Sequence, residues 1–202
     1  MPEMAHPHAR KTVGGYTGHF FRRSLHISML SLPWLYYTAL NPKWQNHSFL
    51  TLLLICLIII EGYRLKKGWI FFGQRQWENQ SISSFTWSGV AIVLTLIFAP
   101  SDLDGSGECF AMPIIAGAAL IDPLLGCLYQ KPALMRWSLA YLAGLGIWFF
   151  YAWVYALPIF WCWIMPALLI ACEQKKLSFL DDNFNMMAAP LLILCLYYNL
   201  HT

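Results

Sequence analysis

Seven apolar stretches, at 24–40, 48–64, 84–100, 110–129, 136–153, 155–172 and 184–200, each approach the roughly 20 residues a helix needs to cross a bilayer's hydrocarbon core. Spans of this kind are helical, because a segment in hydrocarbon must bond its own N–H and C=O groups. The expected fold is therefore all-α, a polytopic membrane bundle of about seven transmembrane helices. Composition agrees. Of the 202 residues 58% are apolar and 11% charged, against about 25% charged in an ordinary soluble domain.

Residues 1–21 form an expected polar cytoplasmic lead, followed by one transmembrane domain at 22–202. The opening residues lack a short apolar core and a small-residue cleavage site, so a removable secretory signal is not expected. The six cysteines are scattered without a C-x-x-C pair, so neither a zinc site nor a disulfide framework is expected.

Charge placement gives the orientation. With seven spans, the N-terminus and the loops 65–83, 130–135 and 173–183, with the span ends beside them, hold 12 of the 13 Lys and Arg residues, and the other side holds only Lys43. Short loops rich in Lys and Arg stay in the cytoplasm, so the N-terminus is expected inside. The protein is then integral to a membrane, the cytoplasmic (inner) membrane in a bacterium, with any active site facing the cytoplasm. The acidic turn of Asp102, Asp104 and Glu108 lies on the outer side and reads as a solvated loop.

Asp122 stands inside the apolar run 110–129. A charge at bilayer depth costs about 2.5–3.5 kcal/mol even on lenient insertion scales, and intramembrane acids mark functional sites. Neither capping nor topology asks for an acid there. Other polar residues fall at the same side of the membrane: Arg22, Arg23 and His26 on one face of the first helix, Glu61 and Arg64 ending the second, Glu173 closing the sixth, and Asp181, Asp182 and Asn183 opening the last. Residues three and four apart share a helix face. Asp182-Asn183 also reads as an N-cap.

Together they predict a wet, cytoplasm-facing cavity of carboxylates and a histidine ringed by Arg and Lys. Carboxylates with water and substrate phosphates suit Mg²⁺, and Arg and Lys suit phosphate oxygens. The chemistry implied is phosphoryl transfer between a nucleotide and a lipid. No G-x-x-x-x-G-K-[ST] loop is present, so a P-loop is excluded. No nucleic-acid partner is expected.

"RRSLHI" at 22–27 resembles the R-K-x-x-H motif of the polyprenol kinase family, which includes dolichol, phytol and CTP-dependent diacylglycerol kinases. "EGYRLKKG" at 61–68, "FGQRQWE" at 72–78, "ALIDPLLGCLYQK" at 119–131 and "ACEQKKLSFLDDNFNMMAAPLL" at 171–192 follow in that family's order. The resemblance covers nearly the whole chain and implies a multi-span enzyme that phosphorylates a long-chain lipid alcohol with CTP and a divalent cation. It implies that Asp122 matches the aspartate of the family's G-D motif, that Arg22, Arg23 and His26 belong to the first motif, and that Asp182 and Asn183 belong to the last. Three segments depart from the pattern: Ile121 stands where the G-D glycine would be, "GCLYQKP" where a basic stretch would be, and "MRWSLA" where K-S-x-E-G would be.

On this reading Asp122 or His26 takes the hydroxyl proton. Asp122, Asp182 and Glu61 hold the metal, and Arg22, Arg23, Arg64, Arg75, Lys131, Lys175 and Asn183 face the nucleotide and its phosphates. The partners are a lipid alcohol (polyprenol, phytol-like or diacylglycerol), a nucleoside triphosphate and the surrounding membrane lipids. Two rivals remain: a phosphatidate cytidylyltransferase, which needs the same metal, nucleotide and membrane geometry, and a transporter or non-catalytic membrane protein that kept the fold.

Overall fold

The computed structural model describes residues 11–39, 47–100, 107–174 and 180–201. It is all-α. The helices are α1 (Gly15–Ser28), α2 (Ser31–Trp34), α3 (His47–Lys67), α4 (Ser84–Phe98), α5 (Glu108–Cys127), α6 (Ala133–Tyr155), α7 (Phe160–Gln174) and α8 (Asp182–His201). A π-helical turn, Leu35–Ala39, prolongs α2, and a 3₁₀ turn, Gln76–Asn79, lies between α3 and α4. Three helices, α3, α5 and α6, are long and apolar enough to cross a membrane, and α4 and α7 are shorter apolar helices of 15 residues each.

Six of the expected stretches coincide with the helices α3 to α8, but the first does not form one helix. Helix starts at Gly15, inside the expected lead, and is interrupted at Met29-Leu30. Pro33 supplies the cause: it lacks an N–H for the carbonyl of Met29, four residues back, and its ring crowds that turn. α1 is two-sided, with Tyr16, Phe20 and Phe21 exposed and His26 buried. A helix of that pattern suits a polar–apolar boundary.

α5 is the central element, packed against α1, α4, α6, α7 and α8. Its buried residues include Ala111, Ala116, Gly117, Ala118 and Ala119, small side chains that let neighbouring helices close in. α3 shows the reverse of a soluble helix. Its buried positions are Leu50, Glu61 and Arg64, while Leu52, Ile58, Ile59 and Ile60 face outward.

The polar interior of α3 organises the segment that follows it. Arg64 is 2% exposed and uses all five of its N–H groups. Nε and Nη2 donate to the two Glu61 oxygens at 2.8 Å each, Nη1 to the carbonyls of Trp69 (2.9 Å) and Glu78 (2.8 Å), and Nη2 to that of Ser81 (2.8 Å). Glu61 also accepts from the Ser83 N–H at 2.6 Å, and the Ser83 hydroxyl caps α4 by accepting from Thr86 N. Segment 68–83 is thereby fixed to the end of α3 and the start of α4. Its other edge holds the residues just before α1: Val13 N donates to Gln74 O at 2.8 Å and Gly73 N to Val13 O at 3.1 Å. Gly73 sits at φ 86°, a conformation that suits glycine, and brings its N–H round to that bond.

Candidate functional site

α4, α6 and α8 begin, and α5 and α7 end, around one cavity of about 470 Å³. Alternating helix direction explains the placement, since short connections return successive helices to the same end. α1 closes the side. The cavity lining includes Arg22, Arg23, His26, Arg75, Asp122, Asp182 and Asn183, all expected site residues, together with Arg136 and Glu173.

Asp122 and His26 form its acid–imidazole pair. His26 Nε2 lies 3.2 Å from the carbonyl of Ala118 and 3.6 Å from Asp122 Oδ2. Both neighbours are acceptors, so Nε2 carries the hydrogen. The following residue helps. Pro123 has no N–H for the carbonyl of Ala119, which loosens α5 in the turn that His26 addresses. A third of the Asp122 side chain, 33%, is open to the cavity, against 8% for His26. The carboxylate is thus the member of the pair that meets a ligand, and the imidazole, bonded to the Ala118 carbonyl, stands beside it.

Arginines make up the rest of the wall. Arg22 Nη1 donates to Glu78 Oε1 at 2.9 Å, and Ser84 Oγ reaches the same oxygen at 3.5 Å. Arg23 Nη1 lies 3.3 Å from Cys127 Sγ. A Cβ on Gly126 would sit 2.7 Å from Arg23 Nη2, so the absence of a side chain there lets the guanidinium lie across the end of α5. Arg75 packs over the ring of Trp77 at 5.4 Å and Arg136 over that of Trp137 at 5.8 Å. Among the described residues no carboxylate lies within ion-pair distance of Arg23, Arg75 or Arg136. Three guanidinium groups therefore offer donors to an anion.

The α8 end is built by acceptors. Asp181, not Asp182, provides the cap, accepting from Asn183 N at 3.1 Å, and its other oxygen accepts from Ser84 Oγ at 2.6 Å. This one-residue difference from the expected cap leaves Asp182 and Asn183 to line the cavity. Asn183 is 5% exposed, and its Oδ1 has no hydrogen-bond partner among the described residues. Burial, then the neighbouring Asp182, pushes the Asp181 carboxyl up to about 6.

An acid with a higher pKa folded than unfolded lends stability below its unfolded value of about 3.9, and that contribution is lost as pH rises through the folded value. Asp181→Asn keeps an acceptor for Ser84 and Asn183 and removes the titration. Its thermal midpoint relative to wild type is expected to climb between pH 4 and pH 7. A difference that stays constant across that range would contradict the assignment.

Three expected site residues lie elsewhere. Glu61, expected as a metal ligand, has both oxygens engaged by Arg64 and Ser83. Arg64, expected to face phosphate, has no N–H left to give. Lys131 is exposed and outside the cavity. Lys175, Asp102 and Asp104 fall outside the described residues. Glu108 accepts from Tyr155 at 2.8 Å. Glu78 and Ser84 were missed by sequence reasoning. Glu78 is one of only ten acids in the chain, and Ser84 with Ser88 puts hydroxyls four apart on one face of an apolar helix, signals that were there to be read.

Among the described residues no group of three His, Cys, Asp or Glu side chains is arranged to hold a metal ion, so a closed all-protein site does not fit. Mg²⁺ arriving on phosphates needs only one or two carboxylates, and Asp122 and Asp182 in the same cavity meet that lesser requirement. Comparison with protein-family models, with curated proteins and with solved structures finds no match to this chain.

Proposed function

We propose that this chain is a polytopic membrane enzyme that transfers the terminal phosphoryl group of a nucleoside triphosphate, CTP by the sequence resemblance, to the hydroxyl of a lipid alcohol. The observation that carries the reading is the meeting of one partly open carboxylate, Asp122, with Arg22, Arg23, Arg75 and Arg136 in a single cavity. Membrane character is supported by α3, where Leu52, Ile58, Ile59 and Ile60 point out while Glu61 and Arg64 point in. The excess of Lys and Arg on the cavity's side of the expected topology supports an opening toward the cytoplasm.

Phosphoryl transfer asks a protein for positioning and charge stabilisation more than for covalent chemistry. Arg23, Arg75 and Arg136 would neutralise the phosphate oxygens, and Arg22 is held in place by Glu78. The lipid oxygen attacks the terminal phosphorus, the bond from that phosphorus to the bridging oxygen breaks, and the nucleoside diphosphate leaves. The hydroxyl proton passes to Asp122, which has the His26 imidazole beside it at 3.6 Å. Asp182, with Asp122 nearby, would hold Mg²⁺, whose contribution is to offset charge on the β- and γ-phosphates.

Purified protein given CTP labelled at the γ-phosphate and a panel of lipid alcohols is expected to transfer label to the lipid. In a parallel reaction with phosphatidate and CTP labelled at the α-phosphate, label in the lipid would identify a cytidylyltransferase. Solute flux in liposomes without nucleotide, and no lipid labelling, would identify a transporter.

A further inference from the structure

α1 and segment 68–83 carry a face that the cavity does not use. α1 has 14 residues, about 21 Å of helix, too short for a hydrocarbon core about 30 Å thick, so it does not cross. Tyr16 and Phe20, one turn apart on it, are both mostly exposed. Segment 68–83 adds Trp69, Phe71 and Phe72, each half exposed. The two pieces are joined. Phe72 packs on Phe21 with ring centroids 5.6 Å apart and lies against Gly14, where a Cβ would collide with its ring. The main-chain bonds of Val13 to Gly73 and Gln74 fix the same pairing.

Cations stand among these rings. Lys67 Nζ lies 5.7 Å from the centre of the Tyr63 ring, which meets the Trp69 ring edge-on at 5.5 Å. Lys11 Nζ lies 5.9 Å, and the Arg75 guanidinium 5.4 Å, from the centre of the Trp77 ring. Lys66 is exposed beside Lys67. No acid offsets them from this part of the chain. Between residues 11 and 83 the only acids are Glu61 and Glu78, and both are buried and bonded to arginine, Glu61 to Arg64 and Glu78 to Arg22. What these elements show outside is aromatic and positive.

Aromatic rings settle at the headgroup level of a bilayer, and a lysine there reaches polar groups while its stem stays among apolar ones. Lys66 and Lys67 end α3, whose Ile58, Ile59 and Ile60 face outward, so an apolar helix surface runs directly into the basic one. A leaflet presents the matching sequence of hydrocarbon and then phosphate. We infer that α1 and segment 68–83 form an in-plane platform that binds anionic phospholipid of the cytoplasmic leaflet, with Lys11, Lys66 and Lys67 on the headgroups and the exposed rings just below them. This rests on the membrane reading of the chain and not on the kinase step. Segment 68–83 also carries Arg75 to the cavity and Glu78 to Arg22, so the platform sets the cavity at headgroup depth.

Phosphatidylglycerol and phosphatidylcholine with the same acyl chains are the probes, added to delipidated protein in detergent and counted by native mass spectrometry. Wild type is expected to take phosphatidylglycerol in preference. Lys66→Gln together with Lys67→Gln is expected to weaken that binding about 30-fold, roughly fivefold for each charge lost. Lys131→Gln, which removes an exposed charge on the α5–α6 connection, is expected to change it by less than about twofold, since surface charges act within a Debye length. In nanodiscs, adding phosphatidylglycerol to phosphatidylcholine is expected to slow amide exchange in 15–28 and 68–83 and not in α6. Equal affinity for the two lipids, an equal loss with Lys131→Gln, or slowing spread evenly over the chain would overturn the platform and leave the membrane reading standing. Protein that stays monomeric in buffer without detergent would reject both.

Discussion

Asp122→Asn protein is expected to transfer phosphate to a lipid alcohol about 100- to 10,000-fold more slowly than wild type, the range over which a positioned general base acts. The substitution is nearly isosteric, and the hydrogen bond between His26 Nε2 and the Ala118 carbonyl at 3.2 Å is untouched by it. What disappears is the ability to take a proton and the negative charge facing Arg22, Arg23 and Arg75 in the cavity. His26→Gln is expected to cost less, because that imidazole is buried and directed at Ala118 and Asp122 rather than at a ligand. Rates are to be compared on proteins with matched thermal midpoints. An Asp122→Asn rate within a factor of about three of wild type would remove Asp122 from the reaction. If instead His26→Gln had the larger effect, the proton would belong to the imidazole and the roles within the pair would be exchanged.

Much of this cavity was legible because helix alternation is a strong rule. Once the apolar runs are laid end to end, Arg22, His26, Asp122 and Asp182 fall at the same level, and the folded chain brings them to one cavity. Position along a helix can be counted; sideways direction cannot. Glu61 and Arg64 stand at that same level and three residues apart, yet they turn toward segment 68–83 and are consumed there. Their partners, besides each other, are backbone carbonyls and the Ser83 N–H, groups that almost every residue carries and that leave no mark in a sequence. The pairing of Val13 with Gly73 and Gln74 was equally invisible, since it joins chain about sixty residues apart through main-chain atoms. α1 was half legible. The spacing of Arg22, Arg23 and His26 gave its polar face, but the apolar run at 24–40 hid the interruption before Pro33.

Arg64→Met is expected to destabilise the folded protein by about 3–5 kcal/mol, the usual cost of removing one partner from a buried ion pair. The methionine chain replaces the volume of the arginine stem but leaves the Glu61 carboxylate buried with no cation beside it, supported by Ser83 and Thr86. It also strips a donor from each of the carbonyls of Trp69, Glu78 and Ser81. Such a loss is a large share of the roughly 5–15 kcal/mol that holds a typical domain together. Arg64→Lys keeps a charge but has three rotating donors in place of five in a fixed plane, so an intermediate loss is expected. Adding Glu61→Gln to Arg64→Met removes the uncompensated charge and is expected to recover part of the stability but not all, because the three carbonyls stay unserved. Denaturant unfolding in detergent reads each value. The consequence reaches the cavity by a short route: Arg64 holds the Glu78 carbonyl, and the Glu78 carboxylate holds Arg22. If Arg64→Met cost under about 1 kcal/mol, the guanidinium would be a bystander, and the placement of Arg22 would need another cause.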